Sequence, residues 1–478
     1  MTKHYPLMIQ GVTSSASTHT VTAPYDDSVI ATMDTADMAA VETALKTASN
    51  LFNNKKNWLA VPERIAILQK TAQLMTEQAE QLAKDAALEG GKPLIDSRVE
   101  VARAIDGVHN CIDCMRNDSG REIPMGINPA SQNHIAFTRK EPIGVVVAVS
   151  AFNHPLNLII HQVGPAIATG CPVIIKPAED TPLSCYRFVT ILRQAGLPEA
   201  WCQALVVENK EVASALVSDA RVGFFSFIGS AAVGWMLRSK LAAGARCALE
   251  HGGVAPVIIE ADADLKDALP LLAKGGFYHA GQVCVSVQRI FCHQSIARSV
   301  AEQLTTLAKQ QIIGDPTLEQ TQIGPLIRKH EVERIHDWVT KAVSEGAKLL
   351  TGGVATGNCY AATVLFNPAD SSLVSQKEIF GPVICVYSYD SIDEALQRAN
   401  ALDVAFQASV FTKNIDQALY VYSQLNASAV MINDHTAFRV DWMPFAGLRH
   451  SGLGVGGIPH TYEDMQIEKM AVIRSKSI

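Results

Sequence analysis

The sequence predicts an α/β protein made of two consecutive strand–helix units, with a small β hairpin interrupting the first. Three observations predict this. Short apolar runs alternate with helix-length segments from residue 142 to 250, and again from about 256 to 430; that spacing indicates parallel sheets covered by helices. At 478 residues the chain exceeds what one small core organises, so two or three domains are expected. The stretch 117–139 is polar and turn-rich, and reads as a protruding hairpin rather than core.

Taken in order, residues 35–52 and 62–90 carry helical apolar spacing, with Pro62 near a helix start and Gly90-Gly91 at its end. Arg103 lies on a further helix. The first alternating series comprises strand 144–150, helix 156–168, strand 172–176, helix 182–195, strand 205–207, a short helix through Leu216, strand 223–228, helix 231–243 and strand 246–250. In the second series, strands are expected near 287–292, 383–389, 408–411 and 429–432, and helices near 296–310, 331–345, 391–400 and 414–424. The tail 465–474 alternates like a strand and is expected to pair with the hairpin, with a neighbouring subunit as one place to find it. The resulting division is 1–118 with 142–250, then 251–445, with 119–141 and 460–478 as bridging segments.

Apolar residues make up 48% of the chain and charged residues 18%, the balance of a folded globular protein. A net charge of −7 with no long Lys/Arg run argues against a nucleic-acid surface. The longest apolar stretch, 143–151, falls short of the about 20 residues needed to cross a bilayer. The first residues lack the apolar block of a secretory signal, so a cytoplasmic protein is expected. Ten scattered cysteines are too sparse for a disulfide-stapled domain. Cys111 and Cys114 have CxxC spacing, but no second pair or His set completes a metal site, and none is expected.

Four separated segments together supply the groups that oxidise an aldehyde to an acid. Cys284, in Gly281-Gln282-Val283-Cys284, is a candidate nucleophile; a cysteine attacks a carbonyl as its thiolate, which needs a partly exposed site of lowered pKa. Taken alone it reads equally as a buried filler. Glu250, before Gly252-Gly253, can take a proton from water attacking a thioester, or it can be a capping or ion-paired acid. Asn153 follows the strand 144–150 and can hold an oxyanion or cap a helix. Lys176 and Glu179, in Lys176-Pro177-Ala178-Glu179, follow another strand end and can bond the two hydroxyls of an adenosine ribose. An acid there favours NAD, since it repels a 2′-phosphate, although NADP stays open. Gly229-Ser230, with Gly234 a turn later, makes a helix start able to hold a pyrophosphate.

Together these segments resemble the aldehyde dehydrogenase superfamily over essentially the whole chain. The landmarks run in family order through Phe152-Asn153, Lys176 to Glu179, Gly229-Ser230, Glu250, Cys284, Glu378-Ile379-Phe380-Gly381-Pro382, and Pro444 to Gly452. The resemblance implies an aldehyde dehydrogenase-like fold, with a Rossmann-type cofactor domain, an α/β catalytic domain and a β hairpin that builds homodimers or homotetramers. It implies Cys284 as nucleophile, Glu250 as base and Asn153 as oxyanion donor beside the Cys284 backbone N–H. Lys176 and Glu179 are then the adenosine-ribose pair, Gly229 and Ser230 the pyrophosphate contact, Glu378 the nicotinamide-ribose contact, and Phe380, with Phe152, packs by the nicotinamide. The chain departs from the common pattern at Phe152, His251, His279 and Ala446.

The substrate is expected to be a small aldehyde that is short, hydroxylated or anionic, such as lactaldehyde, glyceraldehyde or a semialdehyde. Arg103, His154 and Arg439 are the candidate contacts to such a group, each equally readable as a structural ion pair. Val283 stands where several relatives acting on anionic aldehydes carry Arg, which counts against a strongly anionic tail. Two rival functions remain, a CoA-acylating dehydrogenase and a non-catalytic member of the superfamily.

Overall fold

In the computed structural model, which describes residues 3–12, 15 and 17–477, two separate parallel sheets stand where the two alternating series fall. The first has six strands in the spatial order Gly452–Leu453, Arg246–Glu250, Val222–Ile228, Val145–Val149, Val173–Lys176, Cys202–Ala204, all parallel except the first pair. Chain order runs outward from Val145–Val149 in one direction and then resumes on its other side with Val222–Ile228. That reversal is a topological switch point, where a crevice opens beyond the carboxyl ends of the strands.

Both faces of this sheet are covered, which is why its strands read as uninterrupted apolar runs. Val146 and Ala148 point into one core with Ile175 and Phe224, while Val145, Val147 and Val149 point into another with Ile174, Phe225 and Phe227. The helices Asn157–Thr169 and Leu183–Gln194 follow the strands as the spacing predicts.

The second sheet runs Lys348–Thr351, Thr363–Phe366, Val383–Tyr389, Arg289–His293, Pro256–Ile259, Gln407–Phe411, Ala429–Ile432, with only its first pair antiparallel. A single core of Val, Ile, Leu and aromatic side chains surrounds it. The chain thus crosses from the first sheet to the second just after Glu250, by way of Gly252 and Gly253.

Several expectations need correction. The segment 62–90 is two helices, Val61–Glu77 and Ala79–Gly90, because Gln78 leaves the helical region at φ −110°, ψ 11°. The helix expected over 231–243 stops at Arg238, and a turn through Gly244 (φ +89°) leads into the next strand. Strands Pro256–Ile259 and Thr363–Phe366 and an N-terminal sheet of Lys3–Tyr5, Thr18–Thr22 and Val29–Ala36 were not foreseen. The last of these is Thr-rich and short, and lacks the apolar alternation that signals a strand.

The tail pairs with the hairpin within its own chain: Gln466–Arg474 lies antiparallel to His134–Pro142, from Gln466 opposite Pro142 to Arg474 opposite His134. A neighbouring subunit is therefore not needed to complete that pairing. Among the described residues no helix is long and apolar enough to cross a membrane.

Candidate active site

The crevice at the switch point is a cleft of about 660 Å³ running between the two sheets. Four neighbouring strand ends deliver Asn153, Lys176, Gly229-Ser230 and Glu250 to it, and the second unit contributes Cys284, Glu378, Phe380 and Arg439. Every residue named from the sequence as catalytic, cofactor-binding or substrate-binding lines this one cleft.

Three left-handed residues in a row, His279 (φ 48°), Ala280 (φ 53°) and Gly281 (φ 68°), turn the chain sharply before Cys284. Gly281 is required, because a Cβ there would lie 2.1 Å from the carbonyl oxygen of Gly381. The turn leaves Cys284 half-buried and facing the cleft. Asn153 donates one amide N–H to the carbonyl of Gln282 at 2.9 Å. This fixes its orientation and leaves its second N–H for a ligand beside the sulfur.

Glycines bring the acids to the cysteine. A Cβ on Gly253 would sit 3.5 Å from the Cys284 carbonyl oxygen, so the stretch after Glu250 runs directly against the Cys284 loop. Glu378 lies over Gly252, where a Cβ would come within 2.1 Å of Oε1, and it accepts the Gly253 N–H at 3.3 Å. The Glu250 carboxylate rests on Gly456, where a Cβ would be 1.9 Å from Oε1.

The nearest group at Gly456 is the end of a flexible side chain, with the Phe445 carbonyl oxygen next at 3.0 Å, so Gly456→Ala is expected to move the Glu250 carboxylate at a modest cost in stability. A misplacement on the order of 1 Å costs about 10²-fold in rate. Steady-state kcat beside an unchanged circular dichroism spectrum checks this, and an unchanged kcat would count against a role for that carboxylate.

The electrostatics differ from the sequence expectation at Cys284. Burial, then the Glu378 carboxyl, push its thiol up to about 12, with the Arg439 charge opposing. The thiol is thus favoured over the thiolate, opposite to the lowered pKa expected of a poised nucleophile. Burial likewise raises Glu250, against Arg439, and raises Glu378 to about 8. A carboxyl raised in this way is a stronger base once it ionises.

The three basic residues separate. Arg103 is tied to Asp441 through two hydrogen bonds of 3.0 and 2.7 Å, so its charge is already neutralised. His154 is not a cation: burial, then the Lys92 charge, hold it well below the ordinary imidazole value. Arg439 makes no ion pair among the described residues; it is stacked 3.4 Å from the Phe445 ring centroid and lies 3.5 Å from His161 Nδ1.

Asp441, which also accepts from His161 at 2.7 Å and from Asn157 at 3.1 Å, was missed in the sequence. An isolated acid in a loop gave no signal. His251, beside the base, is also no cation. Its Nδ1 donates to the Gly229 carbonyl at 2.9 Å, and its ring lies between Phe227 and Trp235 beneath the helix that starts at Ser230.

The other end of the cleft fits a dinucleotide. Lys176 Nζ is 3.1 Å from Glu179, half-exposed at the strand end. Ser230 precedes the helix Ala231–Arg238 and its hydroxyl makes no capping bond, which leaves it and the first-turn amides for an anion. Gly234 is needed at this helix, since a Cβ would lie 2.0 Å from His251. Phe152 and Phe380 meet edge-to-face at 5.8 Å on the wall near Cys284. Among the described residues no group of side chains could hold a metal ion.

Comparisons with known proteins agree with this arrangement. A model of the aldehyde dehydrogenase family matches residues 12–471. The chain is 36% identical over 473 residues to a 3-sulfolactaldehyde dehydrogenase of Priestia aryabhattai, covering 98% of both. It is similar to the crystal structure of aldehyde dehydrogenase 21 from Physcomitrella patens in complex with the reaction product succinate (TM-score 0.95, 33% identity, 99% of both chains). It is also similar to a glyceraldehyde-3-phosphate dehydrogenase of Methanocaldococcus jannaschii complexed with NADP (TM-score 0.91, 34% identity, 96% of this chain and 99% of that one). The chain belongs to the aldehyde dehydrogenase family, a class of NAD(P)-dependent oxidoreductases.

Proposed function

We propose that the protein oxidises a short aldehyde bearing an anionic group to the carboxylic acid, through a thiohemiacetal and then a thioester on Cys284. The observation that carries this reading is the convergence of Cys284, Glu250 and Asn153, from three distant segments, on one cleft that also holds the Lys176–Glu179 pair.

The Cys284 thiol gives up its proton to solvent, its sulfur adds to the carbonyl carbon, and the resulting oxyanion is held by the free N–H of Asn153 and the Cys284 backbone N–H. A bound nicotinamide supplies the acceptor for the hydride that leaves as the thioester forms. Glu250 then takes a proton from water as that water attacks the thioester, which releases the acid and restores the sulfur. Glu250 favours hydrolysis over transfer to CoA, because a CoA-acylating enzyme needs no such base. Lys176 and the charged Glu179, whose carboxyl is held low by Lys176 against the effect of burial, support NAD over NADP.

Arg439 supports the anionic group. Burial lowers its pKa and the Glu250 charge only partly offsets this, so the guanidinium pays for its burial unless an anion joins it. The relatives named above act on, or hold as product, molecules with a sulfonate, carboxylate or phosphate, which agrees. Arg439→Ala is expected to lower kcat/KM for succinate semialdehyde about 10²-fold more than for propanal, as truncating one partner of a buried charge pair does. Steady-state kinetics on both aldehydes with NAD, repeated with NADP, checks this; equal losses on the two aldehydes would defeat the anion clamp, and equal turnover with the two cofactors would defeat the NAD preference.

Ten cysteines without a disulfide among the described residues support a reducing, cytoplasmic setting. Met470, Val472 and Ile473, about half-exposed on the tail strand, support a homodimer or homotetramer through that sheet.

A further inference from the structure

Behind the cleft wall, Lys92 and Glu100 form an ion pair of 2.6 Å with both side chains 1% exposed. The other Glu100 oxygen accepts the backbone N–H groups of Leu156 and Asn157 at 2.9 and 3.0 Å. The pair is thereby anchored to the turn that carries Asn153 and His154. The same Lys92 ammonium lies 2.7 Å from Nδ1 of His154.

Burial lowers the Lys92 pKa and the Glu100 carboxylate at 2.6 Å opposes this; paired with Glu100 as an ammonium, Lys92 has donors and no acceptor, so Nδ1 accepts from it. A neutral imidazole carries one N–H, and with Nδ1 accepting, that proton is on Nε2. Burial and the Lys92 charge keep the ring neutral. Among the described residues nothing accepts from this Nε2, and His154 lines the cleft. His161 on the same wall differs, since its Nε2 is bonded to Asp441 and its Nδ1 faces Arg439. Tyr278 also lines the cleft, half-buried, and its hydroxyl has no hydrogen-bond partner among the described residues.

We infer that His154 Nε2–H, fixed by Lys92, recognises a hydroxyl on the carbon next to the aldehyde, and so selects 2-hydroxyaldehydes. His154 directly follows Asn153 and lines the same cleft as Cys284, which supports a contact close to the reacting carbon. A neutral N–H suits a neutral hydroxyl, which can itself donate a hydrogen bond to the Tyr278 oxygen, while Arg439 meets a charged tail. A site built to bond a substrate hydroxyl rejects the analogue lacking it, because its own polar groups are left unpaired. This inference rests on the Cys284 reading above.

The test compares kcat/KM for lactaldehyde and propanal in the wild type, His154→Phe and His154→Gln. The lactaldehyde-to-propanal ratio is expected to fall at least about tenfold in His154→Phe and to recover in part in His154→Gln, which keeps a donor. In ¹⁵N-histidine spectra, the signals lost on substituting His154 are expected to be those of a protonated Nε2 and a bare Nδ1. An unchanged ratio in His154→Phe, or a proton on Nδ1, overturns the inference. Oxidation of propanal and succinate semialdehyde with no such dependence on His154 overturns it alone, whereas oxidation of no aldehyde by the wild type overturns the Cys284 reading as well.

Discussion

Cys284→Ala is expected to abolish aldehyde oxidation, with kcat lowered about 10⁴-fold or more, because no second nucleophile can form the acyl intermediate. Of the ten cysteines only Cys284 lines the cleft; Cys171, Cys185, Cys202, Cys292 and Cys385 are fully or almost fully enclosed in the cores. Alanine fits the half-buried position without strain, so thermal unfolding should hardly move. NADH binding, followed by fluorescence, should persist, since the Lys176–Glu179 end of the cleft is untouched. The raised thiol pKa gives a further sign. With its pKa pushed up to about 12, the fraction of thiolate grows about tenfold per pH unit through the neutral and mildly alkaline range. Alkylation of Cys284 by iodoacetamide in the cofactor-free enzyme is therefore expected to accelerate from pH 7 to 10. A rate flat with pH would mean that the thiolate is already formed at rest, and retained turnover in Cys284→Ala would remove the nucleophile from the mechanism.

The second large effect is expected in Glu250→Gln. Glutamine keeps the shape of the side chain against Gly456 but cannot take a proton from water, and loss of a general base typically costs 10²–10⁴-fold. Acylation does not need that base in the same way, so a burst of NADH close to one equivalent per active site should precede a slow steady state. Burial raises the Glu250 carboxyl, so the wild-type deacylation rate should rise with pH as the group ionises. The CoA-acylating alternative forecasts the opposite pattern. Wild type without CoA would then stall after one turnover, and Glu250→Gln would change nothing.

The fold was legible where burial imposes a pattern. Strand Val383–Tyr389 matches its sequence bounds because both of its faces are covered, and the edge strand Ala429–Ile432 matches because turn residues flank its apolar run. The N-terminal sheet was not legible: Lys3–Tyr5 and Thr18–Thr22 are short, polar and partly exposed, and Val29–Ala36 interrupts its buried Ala31 and Met33 with Thr and Asp. At the site, residue types and order were enough to single out Cys284, Glu250 and Asn153 as residues of one cleft, Glu250 closing a strand and the other two lying in turns. The partners that decide charge were out of reach. Arg103 and Asp441 are 338 positions apart, and nothing local marks either as half of an ion pair. Lys92 is 62 positions from His154, so the fixed tautomer is a property of the packed turn alone. The raised Cys284 thiol was opposite to expectation because a motif names the nucleophile but does not report how much water reaches it, or that Glu378 stands beside it.

The most direct measurement is the mass of the Cys284 peptide after Glu250→Gln is mixed with NAD and lactaldehyde or succinate semialdehyde, then quenched in acid. The account predicts one acyl group, of the mass of the aldehyde's acid less water, on Cys284 and on no other cysteine. It also predicts none when the cofactor is left out. An unmodified Cys284 during NADH formation, or an acyl group carried by a different residue, would contradict it.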